Sequence, residues 1–357
     1  MSITRRAALV AGLAWPACGH GIVDASAWRA GALQGFVLGG TERDPTLLDA
    51  MASYGANLSR VFLRWHTALD GFTLPDVNVR RLRTLLDRAE RLAMRLMVAG
   101  WFEGADDASF WRDAARRAAF VDAWRDLAKA IGNHPSLAGL DLLNEPVPPM
   151  PSGDAREAQA LWRPLAAQTI AALREDGISA PIVFEPAPGA NVLGLADLEP
   201  FDDPQIVYSI HFYTPHDITH QGVSAQWERR IPYPAPAHWQ LGGWDRELGR
   251  GAIDAQRLER ELRVGRAFAL RHGAVVQIGE FSCVRWAPDG SAARWVGDCL
   301  ALFERYGWSW TYHEFRGWPG WDAEIASADP DARSRSADAP VIRLLREAMT
   351  RRIGTTR

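Results

Sequence analysis

From residue 31 onward, short apolar runs rich in β-branched and aromatic residues alternate with longer stretches in which apolar residues recur at helical spacing. This alternation predicts repeated strand–helix units around a parallel sheet. Eight runs read as strands: 33–38, 56–63, 96–101, 138–144, 182–185, 206–212, 274–281 and 308–312. Between them, residues 79–93 place Leu82, Leu85, Leu86, Ala89 and Leu92 on one helical face. Helical patterns also run over 110–131, 155–175, 255–272, 291–306 and 340–351, with a short addition at 193–198. Eight strands predict a closed barrel, an α/β fold of the (β/α)8 TIM-barrel type. No fixed-period repeat, low-complexity block or Ser/Gly linker divides the chain, so residues 28–357 are expected to form a single domain.

One connection is unusually long. Residues 214–251 follow the 206–212 strand with several Pro and Gly residues, no helical period, and the aromatic side chains Trp227, Tyr233, Trp239 and Trp244. Such loops in compact domains are functional or disordered, and the aromatic content predicts an ordered one on the functional face. At the other end of the chain, Thr4-Arg5-Arg6 precedes an apolar run over 7–15, and Ala25-Ser26-Ala27 offers a small-residue cleavage site. Residues 1–27 therefore read as an export signal, with a paired arginine of the twin-arginine type, and predict a periplasmic or secreted protein. Cys18 is the alternative, a lipid-anchor site, but Trp15-Pro16-Ala17 before it fits that pattern poorly. No later stretch is long and apolar enough for a membrane span. Cys283 and Cys299 can pair in an oxidising compartment; two buried free thiols are the simpler expectation.

Composition narrows the partners. Hydrophobic residues make up 47% of the chain and charged residues 23%, enough apolar mass for a sizeable core. A net charge of −3 leaves no cationic excess for phosphates, so nucleic acid and anionic membranes are not expected partners. Sixteen tryptophans are many for this length, and they cluster, as in Trp308, Trp310, Trp318 and Trp321. Core filling accounts for some, but a flat indole also stacks on the C–H face of a sugar. A neutral, polyhydroxylated substrate such as an oligosaccharide or polysaccharide fits best, bound by a monomer.

Barrel enzymes carry reacting groups at the C-terminal ends of strands. Two carboxylates end apolar runs most cleanly. Leu140-Asp141-Leu142-Leu143-Asn144-Glu145-Pro146 stops on Asn-Glu before a proline, and Val275-Val276-Gln277-Ile278-Gly279-Glu280-Phe281 ends on Glu after a glycine that leaves room for a ligand. Glycosidic cleavage needs one carboxyl protonated toward the leaving oxygen and one ionised toward the anomeric carbon. Strands on opposite walls of a narrow barrel mouth can supply both.

Asn144-Glu145-Pro146, His211-Phe212-Tyr213, Glu280 and the strand that carries Arg60 together resemble glycoside hydrolase family 5, the cellulase family. The resemblance spans most of the chain. It implies a (β/α)8 barrel, net retention, Glu145 as acid/base, Glu280 as nucleophile, and no metal or organic cofactor. It further implies that Arg60 holds the nucleophile ionised, that Asn144 binds the sugar 2-hydroxyl, that Tyr213 steadies the nucleophile and that His211 tunes the acid. Two positions depart from the family pattern. Trp101 stands where a histidine usually ends the third strand, and the eighth presents His313, with Trp310 three residues earlier, in place of tryptophan. Trp101, Trp310 and His313 are therefore expected on substrate-facing walls, and cellulose does not transfer directly as substrate.

Other polar groups suggest less. Glu185 ends the 182–185 run and can line the cleft; Glu103, Asp106 and Asp107 read as a solvated loop; Glu314 can pair with Arg316. His216 and His220 have the spacing of metal ligands but no third partner, and read as surface histidines. The expected activity is a retaining hydrolase of β-linked glycans, β-glucan or mannan. The alternatives are an inactive carbohydrate-binding barrel, made conceivable by the two departures, and a metal-dependent barrel hydrolase, for which the strand ends show no His/Asp cluster.

Overall fold

In the computed structural model the described residues are 24–69, 71–224, 230–237, 239 and 251–355. The expected signal up to residue 23, Cys18, Trp227 and Trp244 lie outside them. Eight parallel strands close on themselves: β1 (Gln34–Gly40), β2 (Leu58–Ala68), β4 (Arg95–Phe102), β5 (Leu137–Asp141), β6 (Ile182–Phe184), β7 (Ile206–His211), β8 (Val275–Phe281) and β9 (Ser309–Tyr312). Neighbours follow chain order around the sheet, and pairing of β1 with both β2 and β9 completes the barrel. A short strand, β3 (Gly71–Thr73), folds back antiparallel on the end of β2.

All eight predicted runs become barrel strands. The helices differ in detail. The predicted 110–131 helix breaks at Asp113, which ends Ala108–Arg112 and caps Ala114–Ile131 by accepting from Ala115 N–H. A local side-chain acceptor competes with the helical ladder there, which is why the chain restarts. The loop over 214–251 opens with the helical turn His216–Thr219. No helix among the described residues is long and apolar enough to cross a membrane. Cys283 and Cys299 are buried free thiols.

Side chains alternate between the lumen and the helical shell. On β9, Ser309 and Thr311 point inward while Trp310 and Tyr312 pack outward against Phe281. The floor of the lumen is apolar: Leu33, Leu58, Met97, Ala138, Val183, Val207 and Val275 surround Trp28, whose indole Nε1–H donates to Ala138 O at 3.2 Å. Two residues above several of these floor positions the lumen turns polar, with Arg60 above Leu58, Ser209 and then His211 above Val207, and Glu185 above Val183. The apolar floor thus seals one end and the charged layer sits at the other.

Trp28 is the largest side chain of that floor and fully buried. Trp28→Ala is expected to lower stability by about 3–5 kcal/mol, read as a fall in the denaturant midpoint at unchanged slope. A loss under about 1 kcal/mol would show that the barrel does not need this plug.

Candidate active site

The polar layer opens into a cavity of about 400 Å³, lined among others by Trp101, Asn144, Glu145, Tyr213, Glu280 and His313. At its base lies Arg60, wholly buried. Its guanidinium donates to Asp141 Oδ2 through Nε (2.8 Å), to Glu280 Oε1 through Nη1 (2.6 Å), and through Nη2 to Glu185 Oε1 (2.7 Å) and Asn144 Oδ1 (3.0 Å). A planar, permanently charged fork suits that many acceptors, whereas an ammonium does not.

Glu280 reaches the lumen through a break in the strand. Regular alternation from Val275 and Gln277 puts residue 279 inward and residue 280 outward. Instead the register between β7 and β8 shifts, so that Ile210 faces Ile278 but His211 faces Glu280. Such a bulge re-aims a side chain. Gly279 occupies the inward position; a side chain there would collide with Ser209 Oγ and the His211 ring. That is what this glycine provides, rather than close approach of a ligand.

Tyr213 donates to Glu280 Oε2 at 2.6 Å. Burial alone would raise the Glu280 carboxyl, but the charges of His211, His313 and Arg60 and the tyrosine hydrogen bond outweigh it and bring it down to about 2. Glu145 is more open, with a side chain 42% exposed, and its Oε1 lies 2.8 Å from His211 Nδ1. His211 Nε2 stands 3.0 Å from Glu185 Oε1, an ion-pair approach not aligned as a hydrogen bond. Burial opposes the His211 charge, but Glu185 and Glu280, with contacts to Glu145 and Glu185, hold the imidazole well above its ordinary value. Beneath them Asp141 is raised to about 8 by burial and the charge of Glu185, in spite of Arg60. Glu185 is itself fully buried, yet His211 and Arg60 keep it below its ordinary value. The two carboxyls are thus pushed in opposite directions, Asp141 toward its protonated form and Glu185 toward its ionised one.

Ligand atoms of Glu145, His211 and Glu280 all lie within 4.8 Å of one another.

The model of the family described as Cellulase (glycosyl hydrolase family 5) matches residues 23–317. The chain belongs to glycosyl hydrolase family 5. Endoglucanase C of Acetivibrio thermocellus is 26% identical over 254 residues, covering 64% of this chain and 67% of that protein. Endoglucanase 3 of Fibrobacter succinogenes is 33% identical over 132 residues, 35% of this chain and 19% of that protein. The crystal structure of endoglucanase Cel5A from Thermotoga maritima superposes with a TM-score of 0.70 at 18% identity, over 92% of this chain and all of that one. The protein is accordingly an O-glycosyl hydrolase, and the alternative of an inactive sugar-binding barrel finds no support.

The structure of this family 5 member gathers Arg60, Asn144, Glu145, His211, Tyr213 and Glu280 as expected. Trp101 is 42% exposed on the cavity wall, edge-on to Phe62 and beneath the Arg64 guanidinium. His313 also lines the cavity, 5.0 Å from the Trp321 ring. Trp310 does not line it: strand alternation turns it into the core, 1% exposed. Four further expectations change. Glu185 does not line the cleft, because it sits wholly buried against Arg60 and His211. His216 and His220 are cavity-lining rather than surface residues, their rings 5.0 Å apart. Burial and the neighbouring imidazoles push His220 down to about 3. Arg316 pairs with Glu324 rather than Glu314.

Tyr213→Phe removes a hydrogen bond to the charged form of Glu280. The depressed carboxyl contributes stability that is present above its ordinary 4.5 and lost as pH falls toward about 2. In the variant its midpoint, followed by carboxyl-carbon NMR, is expected to rise by about one unit. An unmoved midpoint would mean that the tyrosine only packs there.

Proposed function

We propose that the protein is a retaining β-glycanase that cleaves within β-glucan chains, with Glu145 as acid/base and Glu280 as nucleophile. The observation that carries this reading is the pair of carboxylates within 4.8 Å, one buried and held ionised, the other open to the cavity. In the first step Glu280 attacks the anomeric carbon while the bond to the leaving oxygen breaks and that oxygen takes a proton from Glu145. The product is a glycosyl ester of Glu280. Esterification removes the Glu280 charge, which lowers the proton affinity of the neighbouring groups and readies Glu145 as a base. In the second step Glu145 takes a proton from water, whose oxygen displaces Glu280 from the anomeric carbon with net retention. Asn144, held by Arg60, faces the cavity as a partner for the sugar 2-hydroxyl.

Two further features support the substrate. A second hollow of about 270 Å³ shares Trp101, Asn144, Glu145 and Val147 with the first and is lined beyond them by Arg64, Glu103 and Asp106. Glu145 therefore borders both hollows, which leaves room for sugar units on either side of the bond it would cleave. The relatives with curated names are endoglucanases. The leader-like sequence over 1–27 supports export to the place where such polymers are met.

Glu280→Ala and Glu145→Ala are each expected to cut turnover of β-glucan by about 10³-fold or more without loss of fold. A near-normal rate in the Glu280 variant, even on an activated aryl glycoside, would sink its role. Proton NMR of the first products from an aryl β-glycoside is expected to show the β-anomer before mutarotation. An α-anomer would overturn the double-displacement mechanism.

A further inference from the structure

Glu185 is fully buried and does not line either hollow, so it has no contact with substrate. Its carboxylate nevertheless touches three parts of the machinery. Oε1 accepts from Arg60 Nη2 at 2.7 Å and faces His211 Nε2 at 3.0 Å, while Oε2 accepts the backbone N–H of Glu145 at 2.6 Å. Glu145 has φ of +47°, the left-handed region that non-glycine residues seldom occupy. Such a conformation persists only where surrounding structure over-determines it, and the Glu185 acceptor is one of its restraints. The main chain at Glu185 is fixed in turn, because Trp162 Nε1 donates to the Glu185 backbone carbonyl at 2.8 Å.

We propose that Glu185 is a positioning residue for the acid/base: it holds the main chain of Glu145 in place and keeps His211 protonated at Nε2, so that His211 Nδ1 and Glu145 Oε1 hold one proton between them. This rests on the assignment of Glu145 as acid/base. A carboxylate charge beside one ring nitrogen favours a proton there, and that settles what the other nitrogen can do. The groups facing His211 are Glu145, Glu185 and Glu280, with Arg60 and Asp141 against Glu185 and Tyr213 against Glu280. Glu185 Oε1, 3.0 Å from the ring, is the carboxylate placed to balance the imidazolium once Glu280 is esterified. Protons balance over the cycle. The leaving oxygen takes the shared proton from Glu145 Oε1, His211 keeps the one at Nε2, and the attacking water returns a proton to the pair.

The test compares Glu185→Gln, which keeps the shape and loses the charge, with Glu185→Asp, which keeps the charge, on two aryl β-cellobiosides. Phenyl depends on acid assistance and 2,4-dinitrophenyl does not. For Glu185→Gln, kcat/KM is expected to fall about 10- to 100-fold on the phenyl substrate and far less on the dinitrophenyl one. Its basic limb should move down by about one pH unit, and Glu185→Asp should bring the limb back toward wild type. Equal losses on both substrates with an unmoved limb would overturn the proposal. If Glu185→Gln does not fold, nitrogen NMR of the wild-type imidazole decides the matter. Both His211 nitrogens should carry protons at neutral pH, and an unprotonated Nε2 would overturn the role. Failure of the wild type to cleave either substrate would count against the assigned function, while the imidazole measurement would still report on Glu185.

Discussion

The active end of this barrel depends on one buried cation. Arg60 sits with no solvent contact among three carboxyls and an asparagine. Taking a guanidinium and several carboxylates out of water costs several kcal/mol per ion, and the cost is recovered only when every charge is paired and hydrogen-bonded. The layer approaches that condition by giving Arg60 four oxygen acceptors, and burial with the Glu185 charge pushes Asp141 toward its neutral form. Removing any member strands another, so the geometry of Glu280 and Asn144 is fixed by the same bonds that make the layer tolerable. Stability and pre-organisation have one source here.

The sheet delivers these groups through its period. On β2, β6 and β7 the charged residue lies two or four positions above a floor residue, so plain alternation suffices. On β8 it does not, and the bulge at Gly279 turns Glu280 inward. Thr311 on the next strand donates to Gly279 O, which ties the bulge to β9. A bulge sacrifices regular pairing to aim one side chain, and here the side chain it aims is the carboxylate that Arg60 and Tyr213 hold.

Much of this was legible in the sequence, for identifiable reasons. Buried parallel strands give continuous apolar runs, and all eight stood out; polar residues that end such runs mark the functional face, which brought Glu145 and Glu280 forward, while Arg60 and His211 came forward through the family resemblance. Glu185 was legible as a strand end, and its two-residue distance from Val183 indicates the lumen, but nothing local says that a fully buried glutamate there would be paired from behind. Asp141 was hidden inside an apolar run whose neighbours read as core. Trp310 shows the converse failure. It lies in a tryptophan cluster that suggests sugar stacking, yet the parity of β9 sends it into the core, while Trp321, from the loop beyond, lines the cavity.

The two departures from the family pattern line the cavity, one contact away from the Arg60 layer. Trp101 is braced by Phe62 and Arg64, and the Arg60 guanidinium lies over the same Phe62 ring; His313 packs on Trp321, whose ring faces that of Tyr213. Residues that share a partner couple. A change of shape at either wall position therefore reaches the buried charges through a single aromatic ring. When protonated, an imidazole at position 313 also adds to the charges that hold Glu280 ionised, a contribution that an indole at the same position would not make.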